Sequence, residues 1–334
     1  MNEPLRIALV GAGGIGKIWA SAFKKISSVV LRCVIDVNEQ SAKDIAAQFD
    51  GCVHGTKWED VVQQNDIDAV VVATPHNLLA SVSKGFLEAG KHVLCEKPGA
   101  VDVLSLIRNT ELAAKKKLVY MIGFNHRFHA AFAEAKRRLV AGEVGEAMFI
   151  RARHGFGGRP GYEKEWRLQK AVSGGGELID QGVHMIDLAR WFLGDFADVK
   201  GFAEKMYWKS DVEDNGFALL RTNDHKVAQI HVSWTQWDWI HSFEIMCTNG
   251  YLLIEGLDGR YRGPEKLVIG KHDPQSGQFP KEETIVYKDE KKEDSFAREL
   301  AAFSDGVSGK DADIPRGGDA IATLSIVETI YSEL

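Results

Sequence analysis

The chain has 334 residues and a formal net charge of −6, with 45% apolar and 26% charged residues. This composition is typical of a globular protein, and the length suffices for more than one domain. The acidic balance argues against a nucleic-acid or anionic-membrane partner, and no apolar run is long enough to span a bilayer. Four scattered cysteines without a C-x-x-C pair, and a first strand that begins without a preceding secretory signal, predict a cytoplasmic location.

The first predicted strand is the apolar run from Leu5 to Val10, which ends at glycines spaced G-x-G-x-x-G before a predicted helix. In this setting Gly11 permits a tight turn, Gly13 lets the backbone approach a pyrophosphate, and Gly16 lets the helix pack closely on the strand. The N–H groups and the positive dipole end of the helix then hold the anionic ligand. The segment therefore predicts a dinucleotide-binding loop.

The second predicted strand, residues 29–35, ends at Asp36. An acidic residue at this position can accept hydrogen bonds from both ribose hydroxyls of an adenosine, and its charge would repel a 2′-phosphate. Asp36 therefore predicts NAD rather than NADP as the cofactor. The alternative is that Asp36 caps a helix after an ordinary strand.

Strands and helices alternate up to about residue 124. Strands are predicted over 67–73, 92–95 and 118–123, and helices over 39–49, 78–89 and 101–116. This alternation predicts an α/β fold with a doubly wound parallel sheet, forming a cofactor-binding domain over 1–124. Ligands of such sheets bind beyond the carboxyl ends of the strands, where Thr74, Pro75, Glu96 and Lys97 fall.

The pattern changes after residue 124. A helix over 130–141, a strand over 147–153, a glycine-rich loop and a helix over 177–193 precede a long series of strands up to residue 288, and two helices over 294–307 and 318–331 close the chain. Successive strands predict a large, mostly antiparallel open sheet. Residues 125–334 are therefore predicted to be a second α/β domain for substrate binding and oligomerisation.

Two sets of residues could take part in catalysis. Lys97, at the carboxyl end of a strand, can hydrogen-bond a substrate hydroxyl and stabilise a developing oxyanion. Asp180 and His184 lie four positions apart, hence on one helix face, and histidine is the natural general acid or base near neutral pH. The alternatives are a surface lysine, a buried structural histidine, and a metal site of Asp180, His184 and Asp187. We predict no metal, because hydride transfer to NAD requires none.

Several motifs resemble the glucose–fructose oxidoreductase, inositol dehydrogenase and MocA-like (Gfo/Idh/MocA) family. They are Gly11-Ala12-Gly13-Gly14-Ile15-Gly16, Ala73-Thr74-Pro75, Glu96-Lys97-Pro98, Asn125-His126-Arg127-Phe128, Trp166-Arg167, and Asp180-x-Gly-x-His184-x-x-Asp187. The resemblance implies a Rossmann domain followed by an α/β domain whose open sheet joins subunits into homodimers or homotetramers. One departure is Leu79, where the family often has a histidine.

The resemblance also implies roles for individual residues, with Lys97, Asp180 and His184 as the catalytic set. The residues assigned to the cofactor are Gly11, Gly13, Gly14, Ile15, Gly16, Asp36, Ala73, Thr74, Pro75, Asn77, Glu96, Lys97, Asn125, Arg127 and Trp166. The residues assigned to the substrate are Lys97, Arg127, His154, Tyr162, Arg167, Asp180 and His184.

The predicted function is an NAD(H)-dependent oxidoreductase that acts on a secondary alcohol or ketone of a sugar, polyol or nucleotide sugar. His184 takes the hydroxyl proton, Lys97 stabilises the oxyanion, and Asp180 orients the substrate or His184. Trp234, Trp237 and Trp239 suit a sugar face, although a sheet-face interface between subunits is the alternative. Two other functions remain open: an NAD-retaining glycosidase or epimerase that works by transient oxidation, and a non-catalytic dinucleotide-binding regulator.

Overall fold

The computed structural model describes residues 3–273 and 275–333, which form two compact units. The first unit contains the residues up to 125 together with 292–321, and the second contains 126–291 and the residues from 322 onward. The sequence-based division placed all of 125–334 in the second domain. The difference arises because the helix Lys292–Val307 packs on the helix Gly14–Phe23, with Phe296 edge-on to Trp19 at 4.9 Å between ring centroids.

The first unit is built on a six-stranded sheet in which every pair of neighbours is parallel. Its strands are β1 (Leu5–Val10), β2 (Val29–Ile35), β3 (Val53–Gly55), β4 (Ala69–Val72), β5 (His92–Glu96) and β6 (Tyr120–Gly123). They lie in the order β3-β2-β1-β4-β5-β6, which confirms the predicted doubly wound sheet. The sequence analysis did not predict the short edge strand β3, whose backbone pairs with the end of β2.

Helices connect these strands. They are α1 (Gly14–Phe23), α2 (Glu39–Ala46), α3 (His76–Glu88) and α4 (Val103–Lys116). Capping residues define their ends: the side chains of Asn38 and Asp102 each accept a hydrogen bond from a backbone N–H in the first turn of α2 and α4, respectively. Gly90 follows α3 with a φ of +79°, as expected of a residue that terminates a helix in the left-handed conformation.

The second unit contains an eight-stranded sheet. Its strands are β7 (Ala147–Gly155), β8 (Phe196–Glu204), β9 (Asn215–Thr222), β10 (Val227–Ser233), β11 (Ile240–Cys247), β12 (Gly250–Glu255), β13 (Glu265–Lys271) and β14 (Lys281–Tyr287). The order is β14-β13-β12-β11-β7-β10-β9-β8, and only the β7–β10 pair is parallel. The predicted mostly antiparallel sheet is therefore confirmed.

Two helices, α5 (Ala130–Val140) and α7 (Val183–Leu193), pack on one face of this sheet, and a single turn, α6 (Lys170–Ser173), precedes α7. The opposite face carries exposed apolar side chains, among them Phe149 on β7 and Leu219 on β9. The chain closes with α8 (Lys292–Val307) and α9 (Gly317–Ser332). Every helix in the part of the chain that the structure describes is too short or too polar to cross a membrane.

Candidate active site

The glycine loop between β1 and α1 contains two positions that only glycine fits. Gly11 has a φ of +107°, and a Cβ there would lie 2.3 Å from the Ala73 carbonyl oxygen. A Cβ at Gly16 would lie 2.1 Å from the Gly11 carbonyl oxygen, so this glycine fits the helix against its own loop. Gly13 and Gly14 instead face open space, with no neighbouring atom within 4 Å of a built Cβ. The loop thus leaves room for a ligand above these two glycines.

The surroundings of this space fit NAD. No side chain in the described residues caps α1, so the N–H groups of its first turn and its positive dipole end can hold a pyrophosphate. Asp36 lies beside the loop at the end of β2, where its carboxylate accepts the N–H of Ala12 at 2.6 Å and that of Asn38 at 2.8 Å. The carboxylate is thereby fixed at the position that a dinucleotide-binding fold uses for the adenosine ribose.

Most of the other residues that the sequence assigned to the cofactor also follow the carboxyl ends of strands. Ala73, Thr74 and Pro75 follow β4, Asn77 is exposed in the first turn of α3, and Ile15 is half-buried in that of α1. Lys97 directly follows β5 and is half-buried. Asn125 follows β6, and its amide donates to the Ser295 hydroxyl at 3.2 Å.

Glu96 has a different environment, because it is 8% exposed and accepts a hydrogen bond from the indole N–H of Trp19 at 2.8 Å. Burial raises the pKa of the Glu96 carboxyl group. The Trp19 contact ties the end of β5 to α1, next to Lys97. Cofactor binding by Glu96 stays a prediction, and the structure gives this side chain a packing role.

In the second unit, Asp180 and His184 lie at the start of α7, in and just after a π-helical turn, Leu178–Gly182. The sequence predicted one regular helix over 177–193. A Cβ at Gly182 would lie 2.9 Å from Leu178 Cδ1 and 3.3 Å from Val232 Cγ2, so the packing of Leu178 and of Val232 on β10 favours a glycine at this position.

Asp180 and His184 are 2% and 4% exposed. The guanidinium Nε–H of Arg167 donates to Asp180 Oδ2 at 3.1 Å, and the same guanidinium lies 4.6 Å from the Trp166 ring centroid. Three of the predicted substrate residues, Arg167, Asp180 and His184, therefore share one region of the second unit. An anionic carboxylate next to a histidine can orient the ring and stabilise its protonated form.

Glu213 is a positioning residue that the sequence did not reveal. Its buried carboxylate accepts the backbone N–H groups of Gly176 at 2.9 Å and Leu178 at 3.1 Å, and the Tyr331 hydroxyl at 2.6 Å. A Cβ at Gly176 would lie 1.8 Å from the Glu213 carbonyl oxygen, which explains the last glycine of the Gly174-Gly175-Gly176 run. Glu213 thus fixes the turn that presents Asp180.

Arg127 was assigned to cofactor and substrate, but the structure places its guanidinium in a buried pair with Asp187. Nε donates to Asp187 Oδ2 at 2.8 Å and Nη2 donates to Oδ1 at 2.6 Å. The two side chains are 6% and 1% exposed. Ligand binding by Arg127 stays a prediction, and the pair connects the segment before α5 to α7.

Among the described residues, no group of three or more His, Cys, Asp or Glu side chains is arranged to hold a metal ion.

The remaining predicted substrate residues are more buried than the sequence suggested. Tyr162 is 1% exposed and packs in an apolar cluster with Leu168, Val212 and Trp234. His154 is 2% exposed and, with His184, belongs to a group of five buried histidines, His126, His129, His154, His184 and His241, which we call the histidine cluster. Of the three tryptophans, Trp234 is fully buried, whereas Trp237 and Trp239 are 59% and 36% exposed.

Two family profiles match the chain. Residues 5–124 match the profile described as an oxidoreductase family with an NAD-binding Rossmann fold, and residues 132–253 match the GFO/IDH/MocA C-terminal domain. Together they cover most of the chain. It belongs to the Gfo/Idh/MocA oxidoreductase family. Its first domain is therefore an NAD-binding Rossmann domain, in agreement with the glycine loop and Asp36.

The chain aligns with only part of some relatives and with nearly the full length of others. A levoglucosan dehydrogenase from Pseudarthrobacter phenanthrenivorans is 28% identical over 230 residues, 66% of this chain and only 59% of that protein. An inositol 2-dehydrogenase from Rhizobium meliloti is 26% identical over 333 residues, 97% of this chain and 95% of that protein. A solved structure of levoglucosan dehydrogenase in complex with NADH superposes with a TM-score of 0.88 at 23% identity, covering 99% of this chain and 98% of that chain. That structural match supports the fold.

Proposed function

We propose that the protein is an NAD(H)-dependent oxidoreductase that transfers a hydride between nicotinamide and a secondary alcohol or ketone of a sugar, polyol or nucleotide sugar. The observation that carries the proposal is the pair of nearly buried residues Asp180 and His184, one helical turn apart, in a chain that also has an NAD-binding Rossmann domain. A buried carboxylate one helical turn from a histidine can orient that histidine for general acid–base catalysis.

Each of the three residues has one role in this proposal. His184 accepts the proton of the substrate hydroxyl during oxidation and returns it during reduction. Asp180, itself held by Arg167, orients the His184 ring or a substrate hydroxyl. Lys97 donates a hydrogen bond to the substrate oxygen as negative charge develops there. NAD, when bound, supplies the hydride acceptor.

The substrate class rests on chemistry and on the relatives. Arg167 and exposed aromatic side chains such as Trp239 suit hydroxyl groups and the apolar faces of sugar rings. The relatives reported above are a levoglucosan dehydrogenase and an inositol dehydrogenase, both named for small polyhydroxylated substrates. We propose a substrate of the same kind for this protein.

The proposal is tested by following NADH absorbance with NAD and a panel of sugars, polyols, uronates and nucleotide sugars. Turnover on one class, with one NADH formed per product, is the expected result. Absence of turnover on every class, in protein that binds NADH normally, would contradict the dehydrogenase function. NAD that survives dialysis and is never released as NADH would then favour a glycosidase or epimerase that works by transient oxidation.

Asp36 is expected to determine cofactor choice. We expect NADH to bind at least about tenfold more tightly than NADPH, because the carboxylate bonds to ribose hydroxyls and repels a phosphate. Asp36→Ala should narrow that ratio mainly by weakening NADH binding, as measured by fluorescence titration. Glu39→Ala, which removes an exposed acidic side chain at the start of α2, should leave the ratio unchanged. Equal or tighter binding of NADPH by the wild type would refute the NAD assignment.

We also propose that the protein is a cytoplasmic homodimer or homotetramer joined through the uncovered face of the eight-stranded sheet. Exposed apolar residues on this face, Phe149 and Leu219, support an interface. Light scattering on the purified protein tests the association, and a monomeric mass at micromolar concentration would rule it out. Cell fractionation tests the location.

A further inference from the structure

The histidine cluster brings together side chains from four segments of the second unit: the turn before α5, which carries both His126 and His129, and β7, α7 and β11. His126 lies among the other four, with ring centroids 4.0 Å from His184, 5.5 Å from His129, 5.9 Å from His241 and 6.0 Å from His154. All five residues are at most 6% exposed. Because burying polar imidazoles has a free-energy cost that apolar side chains avoid, a cluster of this size indicates a function.

The contact between His126 and His184 differs from the other three. Their rings are nearly parallel, with an angle of 12° between the planes, whereas His129, His241 and His154 meet His126 at 89°, 88° and 64°. A parallel stack uses the faces of the two rings and not their nitrogen-bearing edges. His126 therefore restricts the plane of the His184 ring without competing for the nitrogen that would take a proton.

We propose that His126 is a positioning residue for His184: its neutral ring, stacked on His184, holds that ring in plane and stabilises the imidazolium that forms when His184 accepts a proton. In that step the substrate O–H bond breaks, an N–H bond forms on His184, and His126 neither gains nor loses a proton. The catalytic consequence rests on the proposed function, whereas the effect on the His184 imidazolium does not.

The surroundings keep His126 neutral. Burial, and then the neighbouring histidines, hold the pKa of His126 well below its usual value, and the same causes lower that of His241. A neutral ring attracts an imidazolium stacked on its face, whereas two charged rings at 4.0 Å would repel each other. The stack therefore favours a single positive charge, on His184.

Two carboxylates face His129 in the cluster. Glu265 Oε2 lies 2.8 Å from His129 Nδ1, and Asp258 Oδ1 lies 3.9 Å from its Nε2. His154 and His241 pair through their Nδ1 atoms at 3.0 Å, which requires one of them to donate and the other to accept. Other titratable or charged groups near these side chains are Tyr261, whose ring centroid lies 4.8 Å from that of His154 at an angle of 38°, Arg127, which pairs with Asp187, and Asp180, which pairs with Arg167 one helical turn before His184.

The test is the pKa of His184 in the full-length protein, read by NMR from the ring Cε1–H resonance of ¹³C-histidine-labelled samples and assigned by its loss in His184→Asn. His126→Leu and His126→Gln remove the aromatic face, and each should lower the pKa of His184 by about half a unit or more, a change of about threefold in the protonation equilibrium. His126→Phe keeps an aromatic face that cannot titrate and should leave the pKa of His184 near the wild-type value.

The matched control is His231→Leu, because His231 also stacks in parallel on an aromatic ring, that of Phe217, at 4.3 Å and 7°. It should leave the His184 titration unchanged. With a substrate in hand, the acid limb of kcat/KM should move to lower pH in the Leu and Gln variants, with KM changed less than threefold, and recover in His126→Phe.

An unshifted His184 titration in folded His126→Leu and His126→Gln would overturn the proposal, as would an equal shift in His126→Phe. Because the titration requires no substrate, a protein without dehydrogenase activity still tests the stack. A confirmed stack without any turnover would refute the proposed function alone.

Discussion

Replacing Lys97 with Met or His184 with Asn is expected to lower kcat/KM by about 10²–10⁴-fold on whichever substrate the wild type turns over. Lys97→Met removes the donor to the developing oxyanion, and His184→Asn keeps a polar side chain that cannot take the proton. Binding of NADH should change far less than kcat/KM, because neither change affects the glycine loop or Asp36, although Lys97 is also assigned to the cofactor. Stopped-flow or steady-state NADH absorbance measures the rates, and fluorescence titration measures NADH binding.

Two variants serve as controls for these changes. Lys84→Met removes an exposed lysine of α3 that pairs with Glu88, and His225→Asn replaces an exposed histidine whose φ of +68° suits asparagine. Both should keep activity within about twofold. The double variant Lys97→Met/His184→Asn should lose less than the product of the two single losses, because residues that act in one step are not additive. Retention of near-wild-type activity in folded Lys97→Met or His184→Asn would refute the assigned roles.

Truncation of the Arg127–Asp187 pair is expected to have the largest effect on stability. Asp187→Ala leaves a buried guanidinium without its bidentate acceptor, and loss of one partner from such a pair costs about 3–5 kcal/mol. The measurement is the urea midpoint by circular dichroism, where the transition of the second unit should move to lower urea. Arg127→Met/Asp187→Leu removes both charges and should recover much of the loss.

The control for this prediction is Arg221→Ala, which breaks the exposed pair between Arg221 Nη2 and Asp198 Oδ2 at 2.7 Å. Exposed pairs contribute little, so its midpoint should barely move. If Asp187→Ala lowered the urea midpoint no more than Arg221→Ala does, the buried pair would not stabilise α7. Equal losses in Asp187→Ala and in the double variant would show that packing, and not the unpaired charge, determines the effect.

The cofactor half of the protein could be predicted from sequence because its signals are local. A strand, three spaced glycines, a helix and an acidic residue after the next strand lie within the first 36 positions, and the parallel sheet that follows places their ends at one edge. Even here the reason for one glycine differs from expectation, since Gly16 accommodates the Gly11 carbonyl and not the strand.

The candidate site in the second unit could be predicted only in part, because its interacting residues are distant in sequence. Arg127 and Asp187 are 60 positions apart, and His129 and Glu265 are 136 apart, so no spacing rule connects them. Asp180 and His184 were found because four positions span one helical turn. The two histidines at 126 and 129, close together just after a strand, were the one local signal for the histidine cluster. Glu213 had no sequence signal, since a carboxylate after a polar turn is ordinary.

The parallel pairing of β7 with β10 has a consequence for synthesis of the protein on the ribosome. β7 is made early, yet both strands that flank it, β10 and β11, are encoded far downstream, so its backbone hydrogen-bonding groups remain without sheet partners for seconds at ~5–20 residues per second. His154 on β7 meets its cross-strand neighbour His241 only then. His184, the proposed base, therefore acquires its histidine neighbours only after β11 has been made, and translation products that end before β11 would lack this arrangement.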